Sequence, residues 1–97
     1  MPAYVILDIT VTDPDLFEEY KAVAPATIAA FGGKYLVRGG NAEALEGDWT
    51  PNRIVVLEFE NIDTAKAWID SPEYREARAM RRQAATSHSI VVEGVSS

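Results

Sequence analysis

At 97 residues the chain has the length of one domain, spanning 1–97, and its formal charge of −6 sets it against polyanions. A phosphate backbone or an anionic membrane repels such a chain, so no nucleic-acid partner and no membrane partner are expected. The lack of cysteine excludes disulfides, thiol nucleophiles and thiolate metal sites.

Residues 3–11 alternate, with Val5, Leu7, Ile9 and Val11 on one face and Tyr4, Ile6, Asp8 and Thr10 on the other. This predicts a strand that carries apolar groups on both faces. The opening MPAYVILDITV has no basic region and no cleavage site, so neither a signal peptide nor a membrane span is expected, and the default compartment is the cytoplasm. Asp13-Pro14 starts a helix, because Asp13 can accept from orphan N–H groups and Pro14 suits the first helical position. Leu16, Phe17, Tyr20, Val23, Ala24, Ile28 and Phe31 recur at helical spacing and turn one stripe to a sheet. Pro25 lies inside that stripe, removes one hydrogen bond and predicts a kink or a split. Gly32-Gly33 ends the helix.

A second strand is expected from Lys34, broken by a bulge at Gly39-Gly40 and resumed over residues 41–46. Residues 47–52 form a turn. The third strand, 53–60, sets Val55, Leu57 and Phe59 on one face against Ile54 and Val56 on the other. Asn61 or Asp63 caps a short helix carrying Ala65, Trp68 and Ile69, and Ser71-Pro72 restarts it as a second piece running to about Ala85. Residues 89–95 are the last strand.

The order is therefore strand, helix, strand, strand, helix, strand. With right-handed crossovers it gives an α+β, ferredoxin-like domain: a four-stranded antiparallel sheet with both helices on one face. Helices cover only one face, yet the strands are apolar on two. A second copy of the chain is the simplest cover for the other, so a homodimer is expected.

Chemistry is sought first among the arginines. Tyr74, Arg78 and Arg81 share one helical face, and guanidiniums match carboxylate or phosphate; the alternative is a rim where they pair with Asp or Glu. Arg38 precedes Gly39-Gly40, whose lack of side chains lets a ligand approach; alternatively the glycines form a bulge and Arg38 pairs with Glu46 or Glu58. Arg53 opens a strand. His88, the lone histidine, stands at the entrance to the last strand and is a candidate general base, with Glu58 as the other; the alternative for His88, which has no carboxylate nearby in sequence, is a surface or cap residue. One His, no Cys and no carboxylates at ligand spacing give no metal site, and the glycine pairs match no phosphate loop or dinucleotide fingerprint, so no cofactor is expected.

Tyr20, Gly32-Gly33, Arg38-Gly39-Gly40, Leu45-Glu46-Gly47, Trp49, Arg53, Glu58-Phe59, Ala65, Trp68, Ser71-Pro72-Glu73-Tyr74 and Arg81 together resemble the pattern of the family labelled domain of unknown function 1330. The match departs from that pattern at Glu60-Asn61-Ile62, where a Pro-Ser pair is usual. The resemblance implies a dimeric α/β barrel, in which two ferredoxin-like subunits pack sheet to sheet. That superfamily holds cofactor-free monooxygenases, haem-degrading enzymes and lactone isomerases, but fold does not carry their residues over.

Two functional readings follow. In one, a cofactor-independent enzyme holds a small organic anion: Arg38, Arg53 and Arg81 bind it, Gly39, Gly40 and Ser71 shape the site, Trp68 walls it, and Tyr74 and His88 move protons. In the other, the same pocket belongs to a binding module or sensor without turnover, or the Arg–Tyr group is purely structural.

Overall fold

The computed structural model describes residues 1–95; the last two residues of the expected 1–97 domain lie outside them. In chain order the elements are β1 (Ala3–Val11), α1 (Pro14–Ala30), β2 (Lys34–Arg38), β3 (Arg53–Phe59), α2 (Ile62–Ile69), α3 (Arg75–Ala84) and β4 (Ala85–Glu93). The strands form one antiparallel sheet in the order β2-β3-β1-β4, the ferredoxin-like α+β arrangement.

Register divides the side chains between the faces. Val5 pairs with Leu57 and Leu7 with Val55, so these residues, with Ile9 and Phe59, meet the helices and are buried. From α1 the stripe Phe17, Tyr20, Ala24 and Ile28 buries against them, while Val23 drifts round to solvent. Asp13 caps α1 by accepting from the Leu16 N–H at 3.2 Å. The helix runs unbroken through Pro25, where a kink or split was expected. Beyond it Gly32 takes φ +70°, a conformation open to glycine, and its N–H returns to the Ala29 carbonyl. Asn61, not Asp63, caps α2.

Three boundaries differ from expectation. Residues 41–46 do not resume β2: the last rung is the Gly39 N–H on the Ile54 carbonyl, and β3 starts at Arg53, leaving no extended partner upstream. The bulge sits at Leu36, between Tyr35 and Val37, not at the glycines. β4 starts at Ala85, because β1 is long enough to pair Val11 with Ala85 and Thr10 with Thr86. His88 therefore lies inside β4 instead of at its entrance. The helical restart is also tighter than expected. Ser71 Oγ accepts from the Tyr74 N–H at 3.1 Å, but Pro72 lies in a turn and α3 begins at Arg75.

Opposite the helices, Ile6, Val56, Ile90 and Val92 make an apolar face, with Ile90 61 % and Val92 43 % exposed. The connection after Arg38 is fastened to it, since Asp8 accepts from Trp49 Nε1 at 2.7 Å and from the Asn52 N–H at 3.0 Å. Among the described residues no helix is long and apolar enough to cross a membrane.

Candidate functional site between α1 and the sheet

Plain alternation along β2 would put Tyr35 and Arg38 on opposite faces. The bulge at Leu36 restores them to the same one: Tyr35 is opposite Leu57 and Arg38 opposite Val55, both on the helix side. Arg53 opens β3 on that side too. Its guanidinium lies over the Phe17 ring at 5.5 Å, and that of Arg38 lies over Tyr35 at 4.7 Å. Gly39 makes room for this. It has φ +72°, and a Cβ there would overlap the Arg53 guanidinium.

These groups surround a narrow cleft, with Arg38, Arg53, Lys21, Tyr20 and Tyr35 around an apolar floor of Leu7, Ile9, Val55 and Leu57. In its present shape only about 20 Å³ admits the centre of a water-sized sphere, so an organic ligand has to shift a side chain at the mouth.

The charges in and behind the cleft are not balanced. No carboxylate lines it. Among the described residues neither Arg38 nor Arg53 has an acidic partner, and Lys21 pairs outward with Glu18 at 2.7 Å. Arg53 Nε is buried without a hydrogen bond, and so is Nε of Arg81, a residue only 5 % exposed. Glu58 does not neutralise them, for it bridges Lys34 at 3.1 Å from the opposite face of the sheet. A buried Nε without an acceptor is costly, and an anion that reached it would offset that cost.

Behind the cleft stands a phenol pair. The hydroxyls of Tyr20 and Tyr74 are 2.7 Å apart, and Tyr74 is fully buried. Trp68 stacks on Tyr74 at 4.2 Å and on Phe59 at 5.5 Å, while its indole N–H donates to Thr27 Oγ1 at 3.1 Å. Burial pushes the Tyr20 phenol far above its ordinary value; the neighbouring Tyr74 adds to this and Arg81 opposes it. Tyr35 is raised as well, again by burial first, with Arg38 and Arg53 opposing. Tyr20 therefore stays protonated at neutral pH, and in its contact with Tyr74 either hydroxyl can donate.

That shift has a stability consequence. Above the unfolded phenol value of about 10, the unfolded chain holds fewer protons than the folded one, so stability is complete below that pH and falls as pH rises. Urea unfolding followed from about pH 8 to about pH 11 is expected to show the decline, and Tyr20→Phe should flatten it. Equal slopes in parent and variant would remove Tyr20 as its cause.

Of the residues singled out in the sequence, Arg38, Gly39 and Arg53 come together at the cleft. Gly40 is exposed with open space around it. Trp68, Ser71 and Tyr74 are buried and absent from the cleft's lining, reaching it through the Tyr74–Tyr20 hydrogen bond. Arg81 is close enough to Tyr20 for its charge to act there. Arg78 parts from it, pairing with Asp70 at 3.0 Å and donating to the Ile69 carbonyl at 3.2 Å. His88 lies across β1 from Asp8 on the apolar face, so it and Tyr74 are on opposite sides of the sheet and cannot share one substrate. Tyr20, Lys21 and Tyr35 were not foreseen as site residues. Tyr20 looked like core spacing, and Tyr35 is hidden by the bulge. No group of three or more His, Cys, Asp or Glu among the described residues is placed to hold a metal.

Comparison with known proteins agrees with this architecture. The model of a family described as domain of unknown function, DUF1330, matches residues 2–95. No curated protein matches the chain. A protein of unknown function from Rhodopseudomonas palustris is similar at TM-score 0.73 and 22 % identity, covering 99 % of this chain and 84 % of its own. A dimeric ferredoxin-like protein of unknown function from Jannaschia sp. gives 0.71 at 12 % identity over 97 % of this chain and 100 % of its own. SnoaB, a cofactor-independent oxygenase from Streptomyces nogalater, gives 0.62 at 16 % identity over 99 % and 95 %. At these identities the likeness is one of fold.

Proposed function

The chain belongs to the family described as domain of unknown function, DUF1330, and from that premise we propose that it is a cytoplasmic homodimer binding a small organic anion in the cleft between α1 and the sheet. The observation that carries this reading is the cleft's imbalance: guanidiniums of Arg38 and Arg53 over an apolar floor, with no carboxylate in the lining. Arg53 and Arg38 hold the acidic oxygens, and Tyr20 donates a hydrogen bond to the ligand while its oxygen accepts from the Tyr74 hydroxyl behind it. Arg81 supports the same charge from α3.

The lining offers no general base, since Tyr20 stays protonated and His88 faces away. Turnover therefore requires a substrate that is itself easily ionised, such as an enol or a phenol whose anion the guanidiniums favour. Such an anion is electron-rich enough to react with oxygen directly. The fold neighbour SnoaB is described as a cofactor-independent oxygenase, which supports oxygenation over base-driven proton transfer. An oxygen electrode tests this with a naphthohydroquinone: uptake should be faster with the parent than with Arg53→Ala or buffer. Equal rates would leave a binding module or sensor, the second reading, which the absent base favours.

The dimer rests on the apolar face of Ile6, Val56, Ile90 and Val92, and the Jannaschia neighbour is described as dimeric. Light scattering should give twice the chain mass, and Ile90→Asp should halve it. A parent that scatters as a monomer would contradict this part.

A further inference from the structure

The anion-binding reading makes Arg38 important, and yet Arg38 is an exposed side chain on an edge strand, with full rotational freedom unless something holds it. What holds it is a defect in α1. In an unbroken helix each carbonyl accepts from the N–H four residues on. Pro25 has no N–H, so the Lys21 carbonyl is left without its helical partner, and the proline ring crowds that carbonyl. Arg38 Nη2 donates into it at 3.0 Å. Lys21 and Arg38 both line the cleft, so the vacated carbonyl lies at the mouth.

We propose that Pro25 is a positioning residue for Arg38, reserving the Lys21 carbonyl as a fixed acceptor that sets the guanidinium at the cleft mouth. A proline inside a helix is otherwise destabilising, and here the acceptor it frees is used. Three contacts converge on this side chain: the carbonyl holds one N–H, the Tyr35 ring packs against the guanidinium at 4.7 Å, and the bulge at Leu36 sets the face. One of the five guanidinium donors is spent on the carbonyl, and the others are free for a carboxylate or enolate.

Pro25→Ala is the direct test. Alanine is a good helix former and supplies the missing N–H, which then competes with Arg38 for the Lys21 carbonyl, so the fold should be kept or strengthened. Salicylate serves as probe, with a carboxylate for the guanidinium and a ring for the apolar floor. Its affinity should fall about tenfold, the loss expected if the competent orientation drops to about a tenth of the population. In an Arg38→Ala background the same change should cost nothing further, because Pro25 acts through Arg38. The Arg38 side-chain resonances should also lose their dispersion in Pro25→Ala. Unchanged affinity, or an equal loss in both backgrounds, overturns the inference while leaving the anion-binding reading intact. If the parent does not bind salicylate, that reading fails, and the resonances alone decide: an Arg38 signal identical in parent and Pro25→Ala refutes the positioning role.

Discussion

Trp68→Ala is expected to be the most damaging single change, costing about 3–5 kcal/mol, the range for removing a large buried aromatic. The indole is 1 % exposed and lies between Phe59 and Tyr74, so its removal leaves a cavity lined by two rings that cannot both collapse into it. It also releases Thr27, whose hydroxyl accepts from the indole and donates to the Ala24 carbonyl at 2.8 Å. That chain joins α2 to α1 within two residues of Pro25. Folded domains have only about 5–15 kcal/mol to lose, so urea unfolding should show a midpoint near the limit of foldedness. A loss below about 1 kcal/mol would mean that the aromatic stack is not what anchors α2.

The second large effect concerns binding instead of stability. Arg53→Ala should weaken small-anion binding about tenfold to a hundredfold, the weight of a charged hydrogen bond worth about 1.5–3 kcal/mol. Its stability cost should stay within about 1 kcal/mol, since packing over Phe17 is lost but a buried Nε without an acceptor is lost too. Thermal melts with and without salicylate separate the two terms. A purely structural arginine would give the reverse pattern, a lowered melting temperature in the variant and no response to anion in the parent.

Much of the fold was legible because strand and helix periods are independent signals. Two-faced alternation in β1 and β3, and the three- and four-residue stripe of α1, each admit one reading. Where backbone pairing overrides composition, the sequence misled. Ala85 reads as the end of a helix, and Thr86 and Ser87 as the connection after it, yet all three are β4, because β1 presents free rungs to them. Residues 41–46 look extended, yet they find no partner. The site was half legible for a similar reason. Arg38 and Gly39 stood out as charge beside glycine, and Arg53 as the charge that opens a strand. Tyr35 depends on a bulge at Leu36, which no turn residue marks. Lys21 depends on its carbonyl, whose availability follows only from Pro25 four residues later. His88 was attractive as the lone histidine, but side-chain type says nothing of the face, and register put it on the far one.

The central claim, that the cleft between α1 and the sheet holds an organic anion, is tested most directly by titrating the parent with salicylate and following backbone nitrogen–proton correlation spectra. The expected result is a saturable set of shifts centred on Tyr20, Lys21, Tyr35 and Arg53, absent in Arg53→Ala. Shifts that never saturate, or that gather around His88 and Ile90 on the other face of the sheet, would contradict it.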